Sequence, residues 1–201
     1  MDLSEKEMLV IARMREWTLV LVVLAGVGAA GCGYNTIQTY DEQVSAAASQ
    51  IKVQLQRRAD LIPNLVETVK AYAKQEQTVF TEVAEARAKL AGAVQSGDLQ
   101  QMAQANAQLT APLGRLLAIA ENYPQLKSNE NFRALQDQLE GTENRIAVAR
   151  QDYNETVNRY NAYIRRFPQV LTAKVLGKGP RPYYELETPG AAQAPKVDFS
   201  K

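Results

Sequence analysis

The chain is predicted to be all-α: an antiparallel, up-down four-helix bundle with long helices, preceded by an N-terminal membrane or signal segment. Three observations carry this. Successive stretches space their apolar residues by alternating three and four, the period of a seam along one side of a helix. Short turns rich in proline, glycine and capping residues separate those stretches, which makes neighbouring helices antiparallel. An uncharged run, residues 17–31 (WTLVLVVLAGVGAAG), comes before the first of them.

Arg13 and Arg15 precede the uncharged run, and Cys32 follows Ala29-Ala30-Gly31. The run is short for a bilayer span, which needs about 20 apolar residues. A basic start, an apolar middle and small residues before a cysteine resemble a bacterial lipoprotein signal, with Cys32 as the lipidated residue. Alanine at position 29, where that pattern usually has leucine, departs from it. An uncleaved single-pass anchor is the alternative. Either way the positive-inside rule puts the helical body outside the cytoplasm, in the cell envelope. The expected domains are residues 1–32 as signal or anchor, 33–186 as bundle with a docked C-terminal segment, and 187–201 as a disordered tail.

The first helix carries Ile37, Tyr40, Val44, Ala48, Ile51, Leu55 and Arg58 on one face and is expected to end near Ala59. Asp60 can cap a second helix with Pro63 in its first turn. One helix kinked at Pro63 is the competing reading. The second stripe runs through Ile62, Leu65, Val69, Tyr72, Glu76, Val79, Val83, Ala86, Leu90 and Ala93, and Gly97 suits a left-handed C-terminal cap. Asp98 can cap the third helix, whose face is Leu99, Met102, Asn106, Leu109, Leu113, Leu116, Ala120 and Tyr123, with Pro112 bending it. The fourth is expected from Ser128 or Asn129 to Phe167, along Phe132, Leu135, Leu139, Thr142, Ile146, Ala149, Tyr153, Thr156, Tyr160, Tyr163 and Phe167. Beyond Pro168, Val170, Leu171, Val175 and Leu176 can dock on the bundle, and Tyr183, Tyr184 and Leu186 can form a short extended piece.

Composition narrows the chemistry. The 201 residues carry a net charge of +1, so there is no electrostatic reason to bind nucleic acid or an acidic membrane surface. There is no histidine, which excludes Ser-His-Asp and Cys-His arrangements and His-ligated metals, and no cofactor is expected. The single cysteine cannot form an intramolecular disulfide.

Residues 50–73 (QIKVQLQRRADLIPNLVETVKAYA) resemble the signature of the LemA family. Residues 121–132 (ENYPQLKSNENF) resemble its second block. The third is matched by Leu139 to Ile146 with Thr142, Glu143, Asn144 and Arg145, then Arg150, Tyr153-Asn154, Tyr160-Asn161 and Phe167-Pro168. The likeness covers residues 34–186, and the closing PKVDF at 195–199 is similar to tails in that family. It implies a membrane-anchored bacterial helical bundle without established catalytic activity, discussed with envelope proteins and membrane stress. Many members carry a plain anchor, so Cys32 is a departure. Gln75 stands where members often have histidine, which weakens a metal there.

Several residues are candidate sites. Glu76 falls on an apolar stripe and would need a partner if buried; Arg58, Arg145 and Arg150 could supply one. The bland account, a buried ion pair fixing helix register, is preferred to a proton-linked or ligand-binding role. Asn106 likewise reads as a register-setting polar residue in a seam. Pro195, Val197 and Phe199 could form a peptide that docks on a partner, or a frayed end. The leading expectation is a non-enzymatic, envelope-anchored adaptor or scaffold that offers long helix faces to envelope proteins or to self-association. One rival is a cell-wall glycan enzyme using Glu76 with Glu143. Another is an extracytoplasmic sensor subunit.

Overall fold

The computed structural model describes residues 13–18 and 33–185. Cys32, the apolar run from residue 19, Pro195, Val197 and Phe199 lie outside these. Among the described residues there are helices and no strands. Residues 13–18 form α1, followed by α2 (Tyr34–Lys70), α3 (Gln77–Ser96), α4 (Leu99–Ile119), a 3-10 turn (Ala120–Asn122), α5 (Pro124–Lys127), α6 (Glu130–Ile164) and α7 (Gln169–Val175). No helix of the described residues is long and apolar enough to cross a membrane.

The expected boundary near Ala59 does not exist: α2 runs unbroken through Pro63 to Lys70. The two stripes meet in phase, since Ile51, Leu55, Arg58, Ile62, Leu65 and Val69 follow one another at three- and four-residue steps, all buried. A single helix keeps them on one face, and Pro63 points to solvent. Proline deprives the carbonyl four residues back of its donor. Here that carbonyl belongs to Ala59, which is fully buried, and the Arg87 Nε of α3 donates to it at 3.2 Å.

The break comes instead at residues 71–76, within the expected second helix. Long-range hydrogen bonds hold it: Asn129 Nδ2 donates to the Tyr72 hydroxyl at 3.1 Å, and Gln75 Nε2 donates to the Tyr123 hydroxyl. Farther on, Gly97 takes the left-handed conformation at φ 73°, and Asp98 caps α4 by accepting from the amides of Gln100 and Gln101. Asn129 accepts from the Phe132 amide at the start of α6. That helix ends at Ile164, a turn short of the expected Phe167, which is 80% exposed.

The chain divides into two compact units, both traversed by α2 and α6. The larger comprises residues 46–154 and the segment from Tyr183. Its core is apolar side chains from four helices, including Leu55, Leu65, Val83, Leu90, Leu109, Leu116, Phe132 and Ile146. The smaller takes residues 13–18, 33–45 and 155–182 of the described chain and buries Ile37, Val44, Val157, Tyr160, Ile164 and Ala173.

Candidate functional site

Among the described residues of the larger unit the apolar core is interrupted by one buried charged group. Arg58 of α2 is 4% exposed. Its Nη1 donates to Asn106 Oδ1 of α4 at 2.8 Å and to Glu143 of α6. A guanidinium has donors enough to tie two partners at once. Burial pushes the Arg58 guanidinium below its usual pKa, while the carboxylate of Glu143 works the other way. The arrangement joins three helices at one level, and a shift of one helix by a turn would strand the charge.

Nearby, the Arg150 guanidinium lies 5.2 Å from the ring centre of Tyr184, a cation–π distance. Tyr184 is 4% exposed, and its hydroxyl, Arg58 Nε and Arg150 Nε are buried without hydrogen-bond partners. Burial raises the phenol's pKa; Arg150 pulls it down and Glu143 pushes it up. Asn154 fastens the backbone at Tyr184 twice, accepting from its amide at 2.8 Å and donating to its carbonyl at 3.1 Å. An asparagine side chain here does what a neighbouring strand would do.

On the surface of the same unit, α2 and α6 flank an open trough of about 630 Å³. Ala46, Ala47, Val148 and Ala149 form its apolar lining, and Arg145 and Asp152 contribute charge. Val148 is 58% exposed.

The smaller unit has its own polar centre. Asp41 of α2 is buried and bonded to Lys178 Nζ at 2.6 Å and to Arg181 Nε and Nη2 at 3.0 and 2.7 Å. Asn161 of α6 clamps Arg181 as Asn154 clamps Tyr184, accepting from its amide at 2.8 Å and donating to its carbonyl at 2.9 Å. The Tyr160 hydroxyl donates to the Gly179 carbonyl at 3.2 Å. Burial and the charge of Asp41 raise the pKa of that phenol.

Burial alone would raise the pKa of Asp41; the hydrogen bonds and charges of Lys178 and Arg181 outweigh it and hold the carboxyl below its usual range. A carboxylate with a depressed folded-state pKa adds stability above its unfolded pKa of about 3.9, and that stability is lost as pH falls through the lower folded value. Asp41→Asn is therefore expected to melt earlier than the parent at neutral pH. The gap should narrow only below about pH 4, as scanning calorimetry across pH would show.

Of the residues singled out in the sequence, Arg58 and Asn106 are brought together. The carboxylate partner of Arg58 is Glu143, not Glu76. Glu76 sits half-buried at the N-terminus of α3, where the break moved it off the seam. Arg145 is exposed along the trough, and Arg150 stacks on Tyr184. Among the described residues no group of three or more Cys, Asp or Glu is placed to hold a metal ion. The sequence reading missed Asp41, Lys178, Arg181 and the clamping role of Asn154 and Asn161. A signal for the last two was present: Tyr-Asn recurs seven residues apart, at 153–154 and 160–161.

What the fold and these clusters define is an all-helical protein whose buried polar groups fasten helices and chain segments to one another. The LemA family model matches residues 47–199, and the chain belongs to the LemA family. It is similar to the magnetosome proteins MamQ 1 and MamQ 2 of Paramagnetospirillum magneticum, each 28% identical over 194 residues, covering 85% of this chain and 71% of the relative. Magnetosome protein MamQ of Magnetospirillum gryphiswaldense is 28% identical over 167 residues, covering 72% of this chain and 61% of that protein.

Proposed function

We propose that this chain is a non-enzymatic adaptor of the bacterial envelope. In this reading residues 17–32 tether it to a membrane, through an uncleaved span or a lipid on Cys32. The body is an antiparallel up-down four-helix bundle that offers its faces to other envelope proteins. Membership of the LemA family supports the reading. So does likeness to proteins named for the magnetosome. Arg58, Asn106 and Glu143 act as the register-setting lock, and Pro195, Val197 and Phe199 form a second, peptide-like docking element.

The observation that carries the proposal is the trough between α2 and α6. Alanines at 46, 47 and 149 keep its floor low, and Val148 stands exposed at its side. Small side chains between two helices leave the groove into which the ridge of a third helix packs. The trough is open and apolar, which suits a helix face better than a small polar substrate.

Site-specific photocross-linking in living cells tests this. A photoreactive residue at position 148 is expected to capture one defined envelope polypeptide, and Ala47→Glu should abolish the adduct without lowering helicity. Release of reducing ends from cell-wall glycan by the parent chain, lost in Glu76→Gln, would replace the adaptor reading with an enzymatic one.

A further inference from the structure

We propose that α7 and the turn leading into it rest on an anionic lipid surface. This builds on the reading that residues 17–32 tether the chain to a membrane. Within nine residues of the smaller unit three large apolar side chains face water: Phe167 is 80% exposed, Leu171 55% and Val175 87%. Leu171 and Val175 lie one turn apart on α7 and so share a face. Phe167 stands just before that helix. The other side of α7 is engaged, since Ala173 is buried.

Charge says what covers this patch. Arg165, Arg166 and Lys174 are exposed beside it. Between Glu155 and Glu185 the chain has six basic residues and no acidic one; Arg159 pairs with Glu155, and Lys178 and Arg181 with Asp41, so the local excess that the near-neutral whole-chain charge conceals is carried by the three at the patch. A short apolar face with a basic fringe fits the boundary between headgroups and acyl chains, where the fringe meets anionic phosphates. A second copy of the same patch would set like charges against each other, which disfavours self-pairing.

Position gives the independent argument. Gly33, the residue after Cys32, is buried against the start of α7. A Cβ added there would stand 3.0 Å from Gln169 Cγ and 3.5 Å from the Tyr163 hydroxyl. The first described residue after the proposed tether therefore sits beside α7. A tether that reaches a bilayer from this point holds the exposed Phe167, Leu171 and Val175 near its surface.

Fluorescence quenching by lipids brominated on their acyl chains tests the proposal. The full chain is reconstituted in vesicles of phosphatidylcholine and phosphatidylglycerol. Trp17, the sole tryptophan, reports on the tether in the parent chain. Phe167→Trp or, independently, Val175→Trp reports on the patch in a Trp17→Phe background. Both tryptophans are expected to shift to the blue and lose most of their emission to brominated lipid. Adding Arg165→Glu, Arg166→Glu and Lys174→Glu should restore the patch signal, while Trp17 in a parent chain with the same three changes stays quenched. A quenched Trp17 with water-like, unquenched emission at both 167 and 175 overturns the proposal and leaves the tether standing. If neither region is quenched, the lipid contact and the uncleaved-span tether both fall. If the patch alone is quenched, the lipid contact holds and the uncleaved-span form of the tether ends. Equal quenching in pure phosphatidylcholine overturns the anionic preference.

Discussion

Glu143→Gln is expected to destabilise the protein by about 2 kcal/mol, read as a shift of the urea midpoint. Removing one partner of a buried pair leaves the other charge uncompensated, at about 3–5 kcal/mol when both are buried. The carboxylate here is half exposed while Arg58 is 5% exposed, so solvent has already weakened the pair and the lower figure applies. A second variant separates stabilisation from specificity. Arg58→Met with Asn106→Leu removes the charge and its buried acceptor together, and should fall within about 1 kcal/mol of the parent, since replacing both partners by apolar groups avoids the desolvation cost. The Arg58 Nε already lacks a partner, which reduces what that exchange gives up. If the cluster is a lock, the apolar double variant keeps its stability but loses the uniqueness of its helix register, visible as broadened methyl resonances. Sharp resonances in that variant would dismiss the lock.

The second large effect concerns Pro63. A helix-interior proline costs about 3 kcal/mol, partly through the carbonyl it orphans. Arg87 supplies the missing donor to Ala59, so part of the cost is already offset. Pro63→Ala should raise stability by about 1–2 kcal/mol, less than the full penalty, because alanine also loosens the unfolded chain. Arg87→Met alone leaves a buried carbonyl unpaired and should cost about 1–2 kcal/mol. In the Pro63→Ala background the same change should cost only a few tenths, because the alanine amide takes over. A double-mutant cycle measures this coupling directly, and strict additivity would refute the exchange of donors.

The course of α2 shows where sequence was legible and where it was not. The phase of its stripe, unbroken from Ile51 to Val69, pointed to one helix; the proline pointed to two, and phase prevailed because another helix repaired the proline's defect. The break at 71–76 is the reverse case. Ala-Tyr-Ala-Lys-Gln-Glu holds no glycine or proline, and nothing local marks a turn. It is set by hydrogen bonds to Tyr123 and Asn129, residues that local periodicity cannot connect to it. Where punctuation was local, at Gly97, Asp98 and Asn129, the boundaries were readable.

The same distinction holds for the polar clusters. Arg58 and Asn106 could be found because a polar residue on an apolar stripe stands out. Which carboxylate would meet Arg58 was not readable, since Glu76 lies on an apolar stripe and Glu143 beside one, and the turn at 71–76 carries Glu76 off the seam. Asp41 drew no attention because it lies one residue off its stripe, beside Tyr40. Its partners Lys178 and Arg181 are 137 and 140 residues away.

The asparagine at 161 grips Arg181 by its peptide amide and carbonyl. Such a grip is indifferent to side-chain identity; it asks only that a free N–H be present at that link. Pro180 and Pro182, which have none to give, stand on either side of it. The backbone grip leaves the Arg181 side chain to bond Asp41, and it holds so long as imino acids keep to the links the amide does not grasp.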